Sequence, residues 1–369
     1  MVRKAKGDDE VDDCYSHHHR TKEFLELLAK SPGFLSGQAL AKKAGMSRSA
    51  VWKQVHRLRK CGYHIESLHG TGYRLAGGTT HPVPWELAKI LKTSFVGRGI
   101  VVYRDNVDST QKIAIALAEK KHARGDDDNI HGAVVMAEQQ NNGRGRMKRR
   151  WLSPRGGIWV SVVLKPSIPT AASTILPFVA ALAVCDAVRQ ETGLLATLKW
   201  PNDVLVDGKK VAGILLDLSA EAETVNYAVI GIGINTNVDT SRLTFECSND
   251  YDDDDRKGRP AITSLKEELG GRAVNRLEFA KLLFENLERF YVMLESGGPE
   301  KIIAEWRRRS NMFGKKVSVV QAATPQKGKD ASAVEGVVAD INADGSLSIK
   351  TESGENVNVV SGDVRVFSY

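Results

Sequence analysis

Asp207-Gly208 stands between two apolar runs, Leu205–Val206 and Val211–Leu216. Both residues tolerate the left-handed backbone of a two-residue type I′ turn, so the dipeptide predicts a tight β-hairpin. The consequence reaches beyond the turn. From about Pro84 to about Met312, strand-like and helical segments alternate, a pattern that by itself suggests a parallel, doubly wound sheet. A tight hairpin joins antiparallel neighbours, whereas parallel ones need a long crossover. The central region must therefore hold a mixed or antiparallel sheet. Further strand-like runs are Ile100–Tyr103, Ala133–Ala137, Ile158–Leu164 and Ala228–Ile234. Helical spacing covers Thr110–Lys121, Ser173–Thr192, Leu277–Leu294 and Pro299–Arg309.

The flanks read differently. Residues 1–19 mix acids, bases and His with little apolar content, the composition of a disordered tail. From Thr21, Phe24, Leu25 and Leu28 share a helical face that ends at Pro32-Gly33. Ser36 can cap a second helix carrying Leu40 inward, Gly45 supplies a turn, and Ser47 can cap a third helix with Val51, Val55 and Leu58 on one side. Gly37–His56 thus has the helix-turn-helix layout, which puts Ser47, Arg48, Ser49, Trp52 and Lys53 on the outward side near the start of the third helix. Ile65–Leu75 reads as a hairpin wing, with its tip and return in Gly70–Arg74. After Gly314 the chain turns to short strands, Val317–Val320, Val334–Ala339, Leu347–Lys350 and Val357–Val360, as in a small β-barrel interrupted by a polar insertion at Gln321–Ser332. The acidic stretch Ser248–Arg259 lacks the ligand spacing of an EF-hand and reads as a solvated loop.

A chain of 369 residues divides into two or three domains. The expected bounds are a tail at 1–19, a winged helix-turn-helix at 20–79, a linker through Pro82 and Pro84, a central domain at 84–312 and a barrel at 313–369, an α+β protein overall. Charge is concentrated: residues 20–80 hold eleven Lys/Arg against three Glu, a surplus of eight beside a net +7 for the whole chain. A basic surface of that size fits a polyanion such as DNA; a basic module used only for protein contacts is the alternative. No apolar run is read as membrane-spanning, and the N-terminus is charged. The four cysteines, Cys14, Cys61, Cys185 and Cys247, form no close pair, so neither a disulfide frame nor a zinc site is suggested and a reducing cytoplasm fits. His17–His19 read as part of the solvated tail, and no metal-ligand set is assigned.

Three segments carry chemistry. Glu138–Trp151 contains Gly143-Arg144-Gly145-Arg146: glycines that let backbone approach a ligand, forked guanidinium donors for carboxylate or phosphate, and Trp151 as a stacking surface. It is not a P-loop, and its basic residues alone could be a solvated patch. Lys199-Trp200-Pro201-Asn202-Asp203 leads into the hairpin, whose return strand opens with Lys209-Lys210 and continues to Gly213. The turn brings a carboxylate and a lysine together, a pair that on a surface contributes little. Gly231-Ile232-Gly233-Ile234-Asn235 is an apolar strand with glycines in place of side chains, which suggests close approach of a ligand or backbone.

Taken in order with Val107-Asp108-Ser109-Thr110, these segments resemble the biotin–protein ligases, and with the N-terminal stretch the bifunctional ligase/biotin-operon repressors. The likeness runs from about residue 20 to the end. It implies a class II synthetase-like biotin/lipoate ligase domain with a C-terminal SH3-like barrel. It implies synthesis of biotinyl-5′-AMP from biotin and Mg-ATP, with Mg2+ as the metal, then transfer to a lysine of a biotin carboxyl carrier domain. By the same resemblance Lys210, Arg146, Arg144 and Asp203 are catalytic. Ser109, Thr110, Gln111, Gln140, Arg144, Gly145, Arg146, Lys210 and Gly213 hold biotin, and Trp151, Asn202, Asn235 and Lys199 hold the nucleotide. A homodimer on an inverted-repeat operator is implied too. The chain departs from the family at Gln111 (usually Asn), Asn142 (Ala), Lys148 (Gly) and Phe367 (Arg), and Arg365 is a candidate to replace the last in contacting ATP. The alternatives are a transcription factor that senses biotin without turnover, and a lipoate ligase.

Overall fold

The computed structural model describes residues 20–125, 130–241, 260–321 and 333–367. The expected tail at 1–19, the acidic loop 248–259, residues 322–332 of the polar insertion and the Lys148 side chain lie outside what is described. The chain forms two compact units: one runs to Ile90 and includes Asn275–Glu278, the other holds Leu91–Val274 and Phe279 onward.

In the first unit, helix α1 (20–29) buries Phe24, Leu25 and Leu28. Helix α2 (Gly37–Lys43) is capped by Ser36, whose hydroxyl accepts from Ala39 N, and α3 (Arg48–Lys60) by Ser47, which accepts from Ala50 N. These caps satisfy helix-end amides that would otherwise lack partners. Val51, Val55 and Leu58 face inward as their spacing predicts. The wing is the antiparallel pair β1 (His64–Leu68) and β2 (Gly72–Gly77). Gly72 has φ +130, and a Cβ there would sit 2.0 Å from the Leu35 carbonyl oxygen, so glycine lets β2 pair with Leu35. The expected linker instead leads into a helix, α4 (Pro84–Ile90), with Trp85 and Leu87 buried. Proline's fixed φ suits a first helical turn, which is why Pro84 opens the helix.

The second unit is built on a seven-stranded sheet: β3 (Val101–Arg104), β4 (Val134–Ala137), β5 (Ile158–Leu164), β6 (Ala196–Lys199), β7 (Asp203–Val206), β8 (Lys209–Glu221) and β9 (Thr224–Ile234), in the order β3-β4-β5-β9-β8-β7-β6. Among these strands β3 and β4 pair in parallel, joined through helix α5 (Thr110–His122), and the other neighbours are antiparallel. The mixed sheet follows from the turn: Asp207 and Gly208 take φ of 50° and 73°. Strand β6 escaped the sequence reading because Ala-Thr-Leu-Lys is too short to show a period.

Helix α6 (Leu176–Thr192) is buried on nearly all sides and packs on β6 to β9. With its preceding turn it is long and apolar enough to cross a membrane, contrary to the sequence reading. Its apolar surface is spent on the core, as expected of a helix hydrophobic all round. A short helix, α7 (Leu265–Glu268), precedes α8 (Arg276–Arg309), which breaks at Gly298 (φ 75, ψ 174) ahead of Pro299. The predicted pair of helices is thus found within this segment, parted at the non-helical Gly298. The C-terminal strands β10 (Lys316–Gln321), β11 (Ala333–Ile341), β12 (Leu347–Lys350), β13 (Asn356–Val359) and β14 (Gly362–Val366) form an antiparallel sheet in the order β13-β12-β11-β10-β14.

Candidate active site

Every ligase-site residue singled out from the sequence lines one cavity of about 510 Å³ in the second unit. The hairpin β7–β8, the central strand β9, the start of α5 and the Gln140–Trp151 loop supply them.

One end is a network of neutral polar groups. Ser109 occupies the N-cap position of α5, yet its hydroxyl makes no capping bond. It is 1% exposed and Oγ has no partner among the described residues. A buried hydroxyl left unpaired is costly, and Ser109 is one of the cavity's lining residues. The helix end is served by Gln140 instead, whose Oε1 accepts from Thr110 N at 2.8 Å. Gln111, where a shorter Asn was the family expectation, uses its extra reach. Its amide nitrogen donates to Asp217 Oδ2 and to the Val229 carbonyl, and its oxygen accepts from Ser161.

The strand glycines have a different use from the one their sequence suggested. A Cβ on Gly233 would lie 2.4 Å from Trp151 Nε1, and one on Gly213 2.9 Å from Trp151 Cζ3. A Cβ on Gly231 would lie 2.6 Å from Gln111 Oε1. The close approach is that of the protein's own side chains. The glycines seat Trp151 flat on the sheet, with Lys210 Nζ 5.2 Å over its ring, a cation–π geometry. Trp151 Nε1 is buried without a partner among the described residues, as is Asn235 Oδ1, whose amide nitrogen donates to the Thr263 carbonyl.

The other end is cationic. Lys210 pairs with Asp203 at 2.6 Å. Lys210 stands opposite Leu205, two residues along β7 from Asp203, so the two side chains share one face of the sheet, where both line the cavity. Arg146 donates to Asn202 Oδ1 at 3.0 Å and to Ser361 Oγ at 3.1 Å. Burial lowers its pKa from the usual arginine range; Asp363 and Asp203 oppose that shift. Arg149 pairs with Asp363. Arg144 lies 3.9 Å from Asp217, and Lys199 is nearly buried in the wall. Asp203 and Asp363 thus pair with Lys210 and Arg149, and Asp217 stands near Arg144.

Sequence reading missed several contributors, among them Ser161, Asp363 and Val364. Ser161 is an ordinary strand residue by composition. Asp363 and Val364 of β14 reach the cavity from 214 positions beyond Arg149 in the case of Asp363. No local pattern announces such a contact. Arg365, the expected substitute for a family arginine, is not among the lining residues, whereas its neighbours Asp363 and Val364 are. Phe367 is 43% exposed.

In the first unit Ser47, Arg48, Ser49, Trp52 and Lys53 are all exposed on one end of α3, as expected. Trp52 is 60% exposed and stacks on His56. Ser47 spends its hydroxyl on the cap. In the wing, Arg74 donates to Glu66 at 2.6 Å, so its charge is partly offset within the hairpin.

Comparison with known proteins agrees with this geometry. Residues 107–235 match the biotin/lipoate A/B protein ligase family, and residues 20–74 match a helix-turn-helix domain. The bifunctional ligase/repressor BirA of Bacillus spizizenii is 36% identical over 289 residues, 77% of this chain and 82% of that protein. BirA of Escherichia coli is 28% identical, covering 81% and 84%. The solved biotin protein ligase from Aquifex aeolicus, in complex with biotin and ATP, has the same fold at a TM-score of 0.54 and 24% identity, covering 73% of this chain and 99% of that one. With a ligase cavity complete to its cations and a helix-turn-helix unit ahead of it, the chain belongs to the BirA family of bifunctional biotin ligase/repressors.

Proposed function

We propose that this protein joins biotin to ATP, forming biotinyl-5′-AMP and pyrophosphate, and then transfers biotin to a lysine of a biotin carboxyl carrier domain. The observation that carries this reading is the pairing, in one cavity, of an acceptor-rich polar end with a cationic end, bridged by Trp151. A ring with N–H donors suits the first, a carboxylate suits the second, and the indole supports the chain between.

Activation brings the biotin carboxylate to the α-phosphate of ATP, two anions that repel each other. Lys210, Arg146 and Arg144 supply the opposing charge, and Mg2+ enters with ATP as part of the substrate. Lys210 exchanges Asp203 for the ligand carboxylate. Asp203, so released, is placed to accept a hydrogen bond from the incoming lysine amine, which must be neutral to attack the anhydride. The unpaired Asn235 Oδ1 suits an amino donor such as that of adenine, with Asn202 and Lys199 beside it. Trp151 sits against Gly213 and Gly233 beneath Lys210, which favours a contact with the biotin tail over the purely nucleotide role that the resemblance implies.

Residues 20–79 form the DNA-binding domain in this reading, 84–312 the ligase domain and 313–369 a C-terminal domain. The exposed end of α3 enters a DNA groove, and a homodimer reads an inverted repeat when loaded with biotinyl-adenylate. A cytoplasmic setting fits the separated cysteines. The test is to incubate the protein with biotin, ATP and Mg2+ and an acceptor domain. Covalent labelling that lipoate does not compete supports the reading; no labelling by folded protein, or preferential attachment of lipoate, refutes it.

A further inference from the structure

The hydrogen bonds at the polar end of the cavity have a direction, and that direction can be traced. Gln111 Nε2 faces Asp217 Oδ2 at 3.0 Å and the Val229 carbonyl at 2.9 Å. Both are acceptors, so the amide is fixed with its NH₂ toward them. Gln111 Oε1 then faces Ser161 Oγ at 2.8 Å, and the Ser161 hydroxyl must donate to it. The other end is fixed in the same way. Ser153 donates to the Trp151 carbonyl at 3.1 Å, so it accepts from Gln140 Nε2 at 2.8 Å, and Gln140 turns Oε1 toward Thr110.

Between these two ends stands the Thr110 hydroxyl, 2.9 Å from Ser161 Oγ and 3.1 Å from Gln140 Oε1. It has one proton for two acceptors. The polar floor is therefore short of protons, and a ligand completes it by bringing N–H donors. Ser109 Oγ, buried and unpartnered, offers a hydroxyl donor beside them. A carbonyl flanked by two N–H groups, a cyclic urea, has this donor and acceptor pattern.

We infer that Asp217, which does not itself line the cavity, is a specificity-determining residue: acting through Gln111 and Ser161, it sets the polarity of the pocket floor in favour of a ureido ring. The inference rests on the biotin-ligase reading above. Asp217 is a positioning residue and touches no substrate. Its Oδ2 is also the atom 3.9 Å from Arg144, so the same carboxylate anchors the glycine–arginine loop beside the pocket. Gly231 belongs to the device, because any larger residue would displace the Gln111 amide.

The experiment compares the full-length protein with Asp217→Ala and Ser161→Ala, using two probes, biotin and biotin methylated on one ureido nitrogen. Binding is measured by calorimetry and turnover by pyrophosphate release. The unsubstituted chain should prefer biotin strongly. Both variants should lower the preference ratio by about tenfold, the scale of one lost hydrogen bond in a charge-fixed network. The KM for biotin should rise more than the KM for ATP, and Asp217→Glu, which keeps an acceptor-only carboxylate, should restore much of the ratio. A ratio unchanged in both folded variants overturns the relay and leaves the ligase reading standing. Failure of the unsubstituted chain to bind biotin overturns the ligase reading, and this inference with it.

Discussion

Lys210 Nζ lies 2.6 Å from Asp203 Oδ1, with the two side chains 23% and 15% exposed. The pair is formed across a hairpin whose Asp207-Gly208 turn is visible in the sequence, but its meaning depends on the cavity around it. On a surface such a contact would contribute little. Here it sets a lysine beside the indole of Trp151, in the wall of the cavity. Lys210→Ala is expected to slow biotinyl-adenylate formation by about 100-fold or more, the scale of losing charge-assisted bonds at a developing charge. Pyrophosphate release measures it, and near-normal synthesis would refute the role assigned to Lys210.

Asp203→Asn separates the two half-reactions. The amide keeps the shape and loses the charge that draws a proton from the attacking amine. Adenylate synthesis should fall by a few-fold at most, and single-turnover transfer to an acceptor lysine by about 100-fold or more, the usual range for a positioned base. Equal losses in both steps would show that Asp203 acts only by holding Lys210.

The C-terminal sheet is tied to the glycine–arginine loop. Asp363 of β14 holds Arg149, and Ser361 accepts from Arg146. Asp363→Ala should release one end of the loop, so that preformed biotinyl-adenylate escapes about tenfold faster, as expected for the removal of one bond between charged groups. A chase with unlabelled intermediate reads this directly; an unchanged escape rate would mean that the contact is passive.

Gly233→Ala places a Cβ 2.4 Å from Trp151 Nε1 and 2.7 Å from Cε2. The indole must leave its seat, at a cost of about 1–3 kcal/mol typical of overpacking. A lower urea midpoint and a red-shifted tryptophan emission are expected. Native emission in the variant would show that the ring is not packed on the strand.

For the DNA-binding unit, Arg48→Ala and Lys53→Ala should weaken operator binding. Each should lower the slope of log K against log salt by about one, for the phosphate that its cation no longer neutralises. Acceptor labelling should be unaffected. A gel-shift titration at several salt concentrations checks both; an unchanged slope would place DNA elsewhere on the protein.

His131 gives a pH signature. Burial lowers its pKa, with smaller opposing effects from Glu295 and Glu288, and its Nδ1 accepts from Lys165 N at 3.0 Å. The unfolded chain, with an ordinary His pKa of about 6.5, takes up the proton first as pH falls. The folded state should therefore lose stability below about pH 6.5 and gain nothing from His131 above it. His131→Asn keeps an acceptor and removes the titration, so the difference in urea midpoint between pH 7.5 and pH 5 should shrink.

Much of the molecule was legible because its signals are local. Ser36 and Ser47 announce helix starts, and Asp207-Gly208 announces a turn. The spacing of Val51, Val55 and Leu58 announces a buried face. Short elements were not legible: β6 has four residues and α4 seven, fewer than a hydrophobic period needs to show itself. The charged residues that line the cavity were legible through motif order, since Arg144, Arg146, Lys199, Asp203 and Lys210 lie in compact segments. The partners that fix them were not.

By itself, then, the sequence determined the antiparallel centre of the sheet, the winged helix-turn-helix and the set of residues able to do the chemistry. These depend on backbone preferences and on charges a few residues apart. The tertiary structure alone decided which groups meet. It carried Asp363 to Arg149 across 214 positions, and Asp217 to Gln111 across 106. It also filled the spaces above Gly213, Gly231 and Gly233 with Trp151 and Gln111. The Asp207-Gly208 hairpin supplied the frame, but only packing of distant segments could pair Lys210 with Trp151 and turn an ordinary ion pair into a binding site. Such contacts follow from how a whole core closes, and no short stretch of chain encodes them.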